Sequence, residues 1–460
     1  MLDLTQCISF SEHSFNGSLD PSITSRLSRL PPSSFSLLKA SSSQSKRLAS
    51  KRIAVCFSGG PAPGGHNVVL AIAKLCGSTH SLFGIMGGLG GLVKGHLKPL
   101  SIKDCLAYHN LGGFDLLKTD RTKLHQASQY KAIKDVVAHY QLDAIIIIGG
   151  DDSHTNAVFL AQELSDHACA IIGVPKTIDG DLRCPPYLPI SFGFYSVCDL
   201  FISLINNLIC DTRSSQKYWH FVKLMGRSSS HITHYVAQHT PVDLFFLGEK
   251  IAHNKTPLSA IIKQIADTIL ESSHNQKPYG VICIPEGLLE WVPEIRNLIQ
   301  TLNTLRDASN RSPDLSHLSQ SDHDLFLQFP EYIQHQLLLD CDSHGNIQLS
   351  RIETERLLIH MVTSYLSSSD PSLTLDAMPH FYGYEGRCTH PNAFDSEFCT
   401  KLGYIAASLA LNGYTGHMAA LDSITSPYQA YGVPIAHLLR FETRFNHEVP
   451  VVKKTIVTDF

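Results

Sequence analysis

Residues Asp143 to Leu182 constrain this chain more than any other stretch. They read DAIIIIGGDDSHTNAVFLAQELSDHACAIIGVPKTIDGDL. Ala144 to Ile148 is an unbroken apolar run rich in β-branched side chains, the pattern of a strand buried on both faces of a parallel sheet. Gly149 and Gly150 end it with a tight turn. Asp151, Asp152 and Ser153 follow at the strand's carboxyl end. Thr155 to Leu164 has helical spacing, with Ala157, Leu160, Ala161 and Leu164 on one stripe. A second short strand, Ala170 to Val174, opens through Pro175-Lys176 into Thr177-Ile178-Asp179-Gly180-Asp181. Ligands of open α/β sheets bind beyond the carboxyl ends of the strands, and here two such ends carry four carboxylates, a lysine and several glycines. One aspartate after a strand is an ordinary helix cap. Capping does not call for Asp-Asp at one end and Asp-Gly-Asp at the next. Adjacent carboxylates repel and are best tolerated where a cation or a phosphate-bound Mg²⁺ neutralises them. The stretch predicts a site for phosphates and a metal.

The rest of the chain extends this pattern in both directions. Arg52 to Phe57 reads as a strand, followed by the glycine-rich Ser58 to Asn67 and a helix from Val68 to Leu75. The turn is neither a Walker loop nor a G-x-G-x-x-G. By itself it fits a tight βα turn as well as a phosphate cradle. A further glycine-rich segment spans Gly84 to Leu92. Gly112-Gly113 precedes Arg121 and Lys123, cations able to reach phosphate oxygens. Downstream, Phe194 to Ile209 reads as an apolar helix. Tyr218 to Leu224 is a strand ending at Met225-Gly226-Arg227, before a helix through Gln238. Asp243 to Leu247 is a strand, Leu258 to Ile269 a helix, and Tyr279 to Ile284 a strand ending in Pro285-Glu286-Gly287. The alternation of strands and helices argues for α/β architecture with two doubly wound domains. Residues 1–50 form an N-terminal extension, 51–215 the first α/β domain, and 216–306 with 375–425 the second. The crossing is expected near Asp211 to Gln216. Residues 307–374, rich in Ser, His, Asp and Gln, read as a mostly helical insertion with a hairpin candidate at Cys341 to Leu349. The α/β pattern returns at Phe381 to Arg387, followed by a helix from Glu397 to Leu411 with Gly413 as its cap. Residues 426–460 are expected to return over the body.

Composition excludes several classes. Among 460 residues, 37 basic and 41 acidic side chains leave a net charge of −4, so no global basic surface argues for nucleic acid. The longest apolar run, around Ala144 to Ile148, is too short to span a bilayer. The 12 cysteines contain no C-x-x-C pair, which argues against zinc ribbons and redox motifs. Without a secretory signal they suggest buried thiols in a reducing, cytoplasmic compartment. His231 and His234 share a helix face, but no carboxylate or third ligand lies close in sequence. The serine-rich residues 1–50 fit a flexible extension, an arm packed on the body, or a transit peptide.

Six strand-end segments occur in one order between about Ile53 and Asn412: SGGPAPGGHN, GGDDS, PKTIDGDL, KYWHFVKLMGRSSSH, IPEG and GYEGR. Together they resemble the phosphofructokinase family, specifically its long pyrophosphate-dependent branch. The resemblance implies two Rossmann-like doubly wound domains with the site in a cleft between them. It implies reversible, Mg²⁺-dependent transfer of a phosphoryl group from pyrophosphate to the 1-hydroxyl of fructose 6-phosphate. By position it makes Asp179 the base, Asp151 the Mg²⁺ ligand and Gly59 the glycine whose backbone meets the diphosphate. Thr177, Ile178 and Asp179 would lie against the sugar phosphate, as would Met225, Gly226 and Arg227, and Tyr384, Glu385, Gly386 and Arg387. Glu286 would accept a sugar hydroxyl. Lys217 and Tyr218 would reach a neighbouring subunit's site, which implies a homodimer or higher homo-oligomer with shared sites. ATP-using relatives look like GGDGS and PGTID, whereas this chain has Asp152 and Lys176 at the variable positions. Asp152 would fill the space of a third phosphate and repel it, and Lys176 would place a cation where the transition state spreads negative charge. An ATP-dependent enzyme, a non-catalytic regulatory subunit and a lipid or nucleotide kinase are the competing expectations. His154 departs from the Asn often found after GGDDS.

Overall fold

The structure is a computed structural model. It describes the whole chain except residues 1–2, 17–18, 42–48, 228, 310–314, 340–350, 371–373, 445–446 and 460. In chain order its strands begin with β1 (Ser9–His13), β2 (Leu37–Ser41), β3 (Arg52–Phe57), β4 (Ser81–Ile85), β5 (Leu97–Pro99), β6 (Ala144–Gly149) and β7 (Ala170–Pro175). They continue with β8 (Trp219–Leu224), β9 (Leu244–Phe245), β10 (Gly280–Pro285), β11 (Ala377–Tyr382), β12 (His417–Leu421), β13 (Ala430–Pro434), β14 (Leu439–Arg444) and β15 (His447–Val452). The chain forms two compact units. One contains Met1–Val197 and Gly386–Thr455, the other Cys198–Glu385 and Ile456–Phe460. Their first boundary falls inside the helix Phe194–Ser215, upstream of the Asp211 to Gln216 crossing expected from sequence.

The first unit is built on a nine-stranded sheet ordered β1-β2-β13-β12-β7-β6-β3-β4-β5. β3, β6 and β7 pair in parallel at its centre, with Ile53 opposite Ala144 and Ala144 opposite Ala170. Every residue of β6 and β7 is buried, which is why these strands read as continuous apolar runs. The helix Ala393–Leu411 packs on the helix Gly65–Cys76 so closely that a side chain on Gly403 would press on the Val68 backbone. Asn392 caps its start. At its end Gly413 (φ 78°) donates to Ala410 O and Tyr414 donates to Leu409 O, a Schellman closure. The described part of residues 1–50 is an arm packed on this unit. β2 pairs with β13, and Ile8, Leu27 and Leu38 are fully buried.

The second unit has a four-stranded sheet, β11-β8-β10-β9. Trp219 and Phe221 of β8 pack into a core shared with the helices Leu258–His274, Pro293–Ser309 and Thr354–Ser369. The insertion is helical over Gln320–Gln328, Glu331–Leu339 and Thr354–Ser369. Its Phe326, Ile333, Leu337 and Leu357 complete that core, so it is part of the unit rather than an appendage. The hairpin candidate at Cys341 to Leu349 lies outside the described residues. Lys223 is buried 3.2 Å from Glu355 Oε2, donates to Ile352 O at 2.8 Å, and sits 4.4 Å from the Phe381 ring centroid. That contact ties the insertion to the strand whose end carries Met225-Gly226-Arg227.

Several element bounds differ from the sequence reading, for physical reasons. The helix after β6 begins at Asp151 rather than Thr155, because its first turn is polar and apolar periodicity starts only at Ala157. The Leu258 helix likewise runs on to His274. β9 is two residues rather than the Asp243 to Leu247 strand. There the Asp243 carboxylate takes the Val281 N–H, and a helix, Gly248–Asn254, starts at once. Tyr218 stands outside β8 with φ 72°. The helix Phe194–Ser215 has 22 residues and is long and apolar enough, by length and composition, to cross a bilayer, a length that unbroken apolar runs understate. It carries Asp199, Asp211 and Arg213 and buries Phe201, Ile205 and Ile209.

Candidate active site

In the first unit β3 delivers the turn Ser58-Gly59-Gly60. Gly59 has φ 85°, donates its N–H to Asp120 O at 2.8 Å, and accepts Thr119 Oγ1 at 2.7 Å through its carbonyl. A methyl group on Gly59 would sit 3.4 Å from Lys176 Nζ, and one on Gly60 would sit 3.3 Å from the Arg387 guanidinium. Two cations therefore lie against bare backbone at one strand end. Gly64 (φ 99°) begins the following helix beneath the Cys399 sulfur, which pins the turn. Ser153 Oγ holds the neighbouring strand end to it through Ser58 Oγ at 2.8 Å.

β6 ends at Asp151 and Asp152, which occupy the first turn of the helix Asp151–Glu163. Neither is its N-cap, which is Gly150 without a side-chain bond. The helix dipole favours both carboxylates there. The Asp151 side chain is 13% exposed, with Lys454 Nζ 3.2 Å from Oδ2. Asp152 is 46% exposed, with Lys123 Nζ at 4.0 Å. Arg121 is exposed.

β7 leads into a loop in which Lys176, Thr177, Ile178, Asp179 and Asp181 are all buried. Thr177 Oγ1 donates to Asp181 Oδ1 at 3.2 Å and accepts the Asp179 N–H at 3.1 Å. Gly180 has φ 69°, and a side chain there would meet the Phe194 ring at 2.6 Å. The Asp179 backbone is thus fixed from both sides by its own loop.

His154 sits behind this loop pair, fully buried. Its Nδ1 donates to Gly150 O at 2.7 Å, and its ring lies on Gly173 of β7, where no side chain would fit. Burial lowers its pKa from 6.5 to about 4, and His417 behaves alike for the same reason. The unfolded chain binds protons that these folded histidines refuse. Stability is therefore full above about pH 6.5 and is lost as pH falls toward 4. The unfolding midpoint of the protein, followed by circular dichroism, is expected to drop across that window. Replacing His154 by Asn, whose amide takes up no proton in this range, should flatten the drop.

In the second unit the strand ends gather a different set. Met225 N–H donates to Tyr382 O at 2.9 Å, and Glu286 N–H donates to Leu224 O at 2.9 Å. Glu286 is buried. Its Oε2 accepts the N–H groups of Gly226 at 3.0 Å and Arg227 at 2.8 Å. Glu286 therefore shapes the Met225-Gly226-Arg227 loop. Arg227 has φ 38°, a left-handed backbone uncommon for a non-glycine residue. Met225 is buried and the Arg227 side chain is exposed. In the short helix Tyr384–Arg387, Tyr384 is 60% exposed, Glu385 is exposed and Gly386 is buried. The boundary between the units falls between Glu385 and Gly386. Lys217 is exposed and Tyr218 half-buried. His234 Nε2 accepts from Gln238 Nε2 at 3.0 Å.

Among the described residues no three His, Cys, Asp or Glu side chains gather as a metal cage. One or two carboxylates at a strand end suit an ion that also takes phosphate oxygens, which is the habit of Mg²⁺. Asp151 fits that role. Sequence reasoning missed Lys454 and Thr455, which come to these loops from the C-terminal segment, because no strand-end motif marks them.

A family model described as PFK, phosphofructokinase, matches residues 52–327. The pyrophosphate–fructose 6-phosphate 1-phosphotransferase of Treponema pallidum is 39% identical over 430 residues, covering 88% of this chain and 75% of that one. The Arabidopsis thaliana subunit beta 2 of the enzyme of that name is 38% identical, covering 88% and 74%. Among solved structures, the pyrophosphate-dependent phosphofructokinase of Nitrosospira multiformis aligns with a TM-score of 0.61 at 15% identity, over 89% of this chain and 86% of that one. That of Marinobacter aquaeolei aligns with a TM-score of 0.59 at 16% identity, over 84% and 83%. The family model spans more than half the sequence, and the same strand-end loops carry the buried charge, so the chain belongs to the phosphofructokinase family.

Proposed function

We propose that this protein transfers a phosphoryl group reversibly from pyrophosphate to the 1-hydroxyl of fructose 6-phosphate, giving fructose 1,6-bisphosphate and phosphate, a glycolytic step. The observation that carries this reading is the buried Lys176 ammonium against Gly59 at the strand end beside Asp151 and Asp152. Relatives at 36–39% identity bear the name of this activity. A metal ion belongs to this chemistry. We assign it as Mg²⁺ on Asp151, where it would neutralise phosphate charge when bound.

Asp179 takes the proton of the 1-hydroxyl as that oxygen attacks the terminal phosphorus, and inorganic phosphate leaves. Aspartate is a weak base, so positioning and electrostatics supply most of the acceleration. Lys176 neutralises oxygens of the transferring group. Thr177, Ile178, Met225, Gly226, Arg227 and Tyr384 to Arg387 bind the sugar phosphate. Glu286 holds the Met225-Gly226-Arg227 loop through Oε2, which leaves Oε1 to accept a hydroxyl. Lys217 and Tyr218 serve a second copy of the chain in a homodimer or higher oligomer. The plant relatives are named as subunits.

The test is an assay of purified protein with fructose 6-phosphate, Mg²⁺ and either pyrophosphate or ATP. Bisphosphate is expected with pyrophosphate alone. Formation with ATP alone, or with neither donor, removes the assignment. Asp152 should be one determinant of that choice. Asp152→Gly is expected to tighten ATP binding about tenfold in titration calorimetry. Binding as weak as in the parent would assign the exclusion of ATP to another residue.

A further inference from the structure

We propose that Lys454 is a second cation of the diphosphate site. It is delivered by the C-terminal strap, pairs with Asp151 while the donor is absent, and passes to a phosphate oxygen when the donor and its divalent cation bind. The proposal rests on the pyrophosphate reading above. Three observations carry it. The first is the contact itself, with Lys454 Nζ 3.2 Å from Asp151 Oδ2, the two side chains 25% and 13% exposed.

The second is how the strap is held. Val452 N–H donates to Thr155 Oγ1 at 3.0 Å, on the helix that Asp151 begins. Lys453 N–H donates to Leu438 O at 2.9 Å. Thr455 donates to Asp181 O through its N–H at 2.7 Å and its Oγ1 at 3.1 Å. Lys454 is thus stitched on either side, to the element of Asp151 and to the loop of Asp179.

The third is electrostatic. Asp151 lies in the first turn of its helix, where the dipole already favours a carboxylate and disfavours a cation. Folding gains little from an ammonium there. A phosphate oxygen gains more, because helix, lysine and metal ion would all act on it with one sign. The lysine side chain is a flexible stem ending in a point charge, so rotation about its own bonds exchanges one oxygen partner for another. Since the divalent cation and the ammonium share Asp151 as partner, they compete for it until phosphate arrives.

The test uses the full-length protein. Lys454→Met removes the charge and keeps the stem. Calorimetric titration with Mg²⁺-pyrophosphate, without sugar, should show the dissociation constant rising about tenfold, the lower range for a lost charge-assisted hydrogen bond. KM for pyrophosphate should rise similarly, with kcat within about threefold. Titration with Mn²⁺ alone should be unchanged or tighter, because a competitor has gone. Lys454→Arg should restore most of the pyrophosphate affinity. If Lys454→Met fails to fold, Lys454→Gln takes its place in the same titrations. Pyrophosphate affinity within twofold of the parent overturns the proposal, as does weaker Mn²⁺ binding. A parent protein that binds no pyrophosphate at all instead overturns the functional reading beneath it.

Discussion

Replacing Asp179 by asparagine is expected to lower kcat about 10²–10⁴-fold in both directions of the reaction, the usual loss when a positioned general base is removed. The unfolding midpoint should stay near that of the parent. The loop explains why the two effects separate. Asp179 is buried, but its backbone N–H is held by Thr177 Oγ1, and Thr177 is held by Asp181. Gly180 turns the chain with φ 69° against Phe194. These contacts hold the loop through the Asp179 backbone and its neighbours. Asparagine is nearly isosteric, so it can occupy the same place without accepting the proton. The measurement is steady-state kinetics beside a thermal melt. Turnover within tenfold of the parent would show that the hydroxyl loses its proton elsewhere. A melt lowered in step with activity would make Asp179 a structural residue.

Much of this loop was readable from the sequence, for a reason specific to parallel sheets. β6 and β7 are buried on both faces, so their residues form apolar runs with abrupt polar ends, and those ends are where ligands bind. Asp151, Lys176 and Asp179 stand at those ends. The role of Glu286 was only half visible. The resemblance implies a sugar contact for it, whereas the bonds from the Gly226 and Arg227 N–H groups to its Oε2 are visible only in the fold. Helix starts were misplaced where the first turn is polar, as at Asp151. Lys454 was invisible because its importance comes from a strap more than 300 residues downstream of its partner, across a hydrogen bond to Thr155 that no local pattern encodes. The same holds for Asp395, which fixes Gly193 and Ser196 through three bonds across the chain. Local periodicity reports which face of an element is buried. It does not report which distant segment closes over that element.

Lys176→Met should lower kcat about 10²–10³-fold, the range seen when one donor to a developing anion is removed, with a smaller rise in KM for pyrophosphate. The expectation follows from where the ammonium is held. Lys176 is 7% exposed, and its ammonium lies against the bare backbone of Gly59 and close to Gly150. In such a site its charge is little screened by water and costs no reorganisation when the phosphoryl group begins to leave. Methionine keeps the length of the stem and most of the packing, so the loop should stand. The two lysines then make opposite predictions from one chemistry. Lys454 reaches the donor from an anchored strap through a flexible, partly exposed stem and should act on binding. Lys176 is fixed in advance and should act on the transition state. Kinetics of the two variants side by side decide this. If Lys176→Met raises KM while kcat holds, Lys176 binds ground state and transition state equally. Charge neutralisation during transfer would then belong to Arg387, whose guanidinium lies on Gly60 of the same turn.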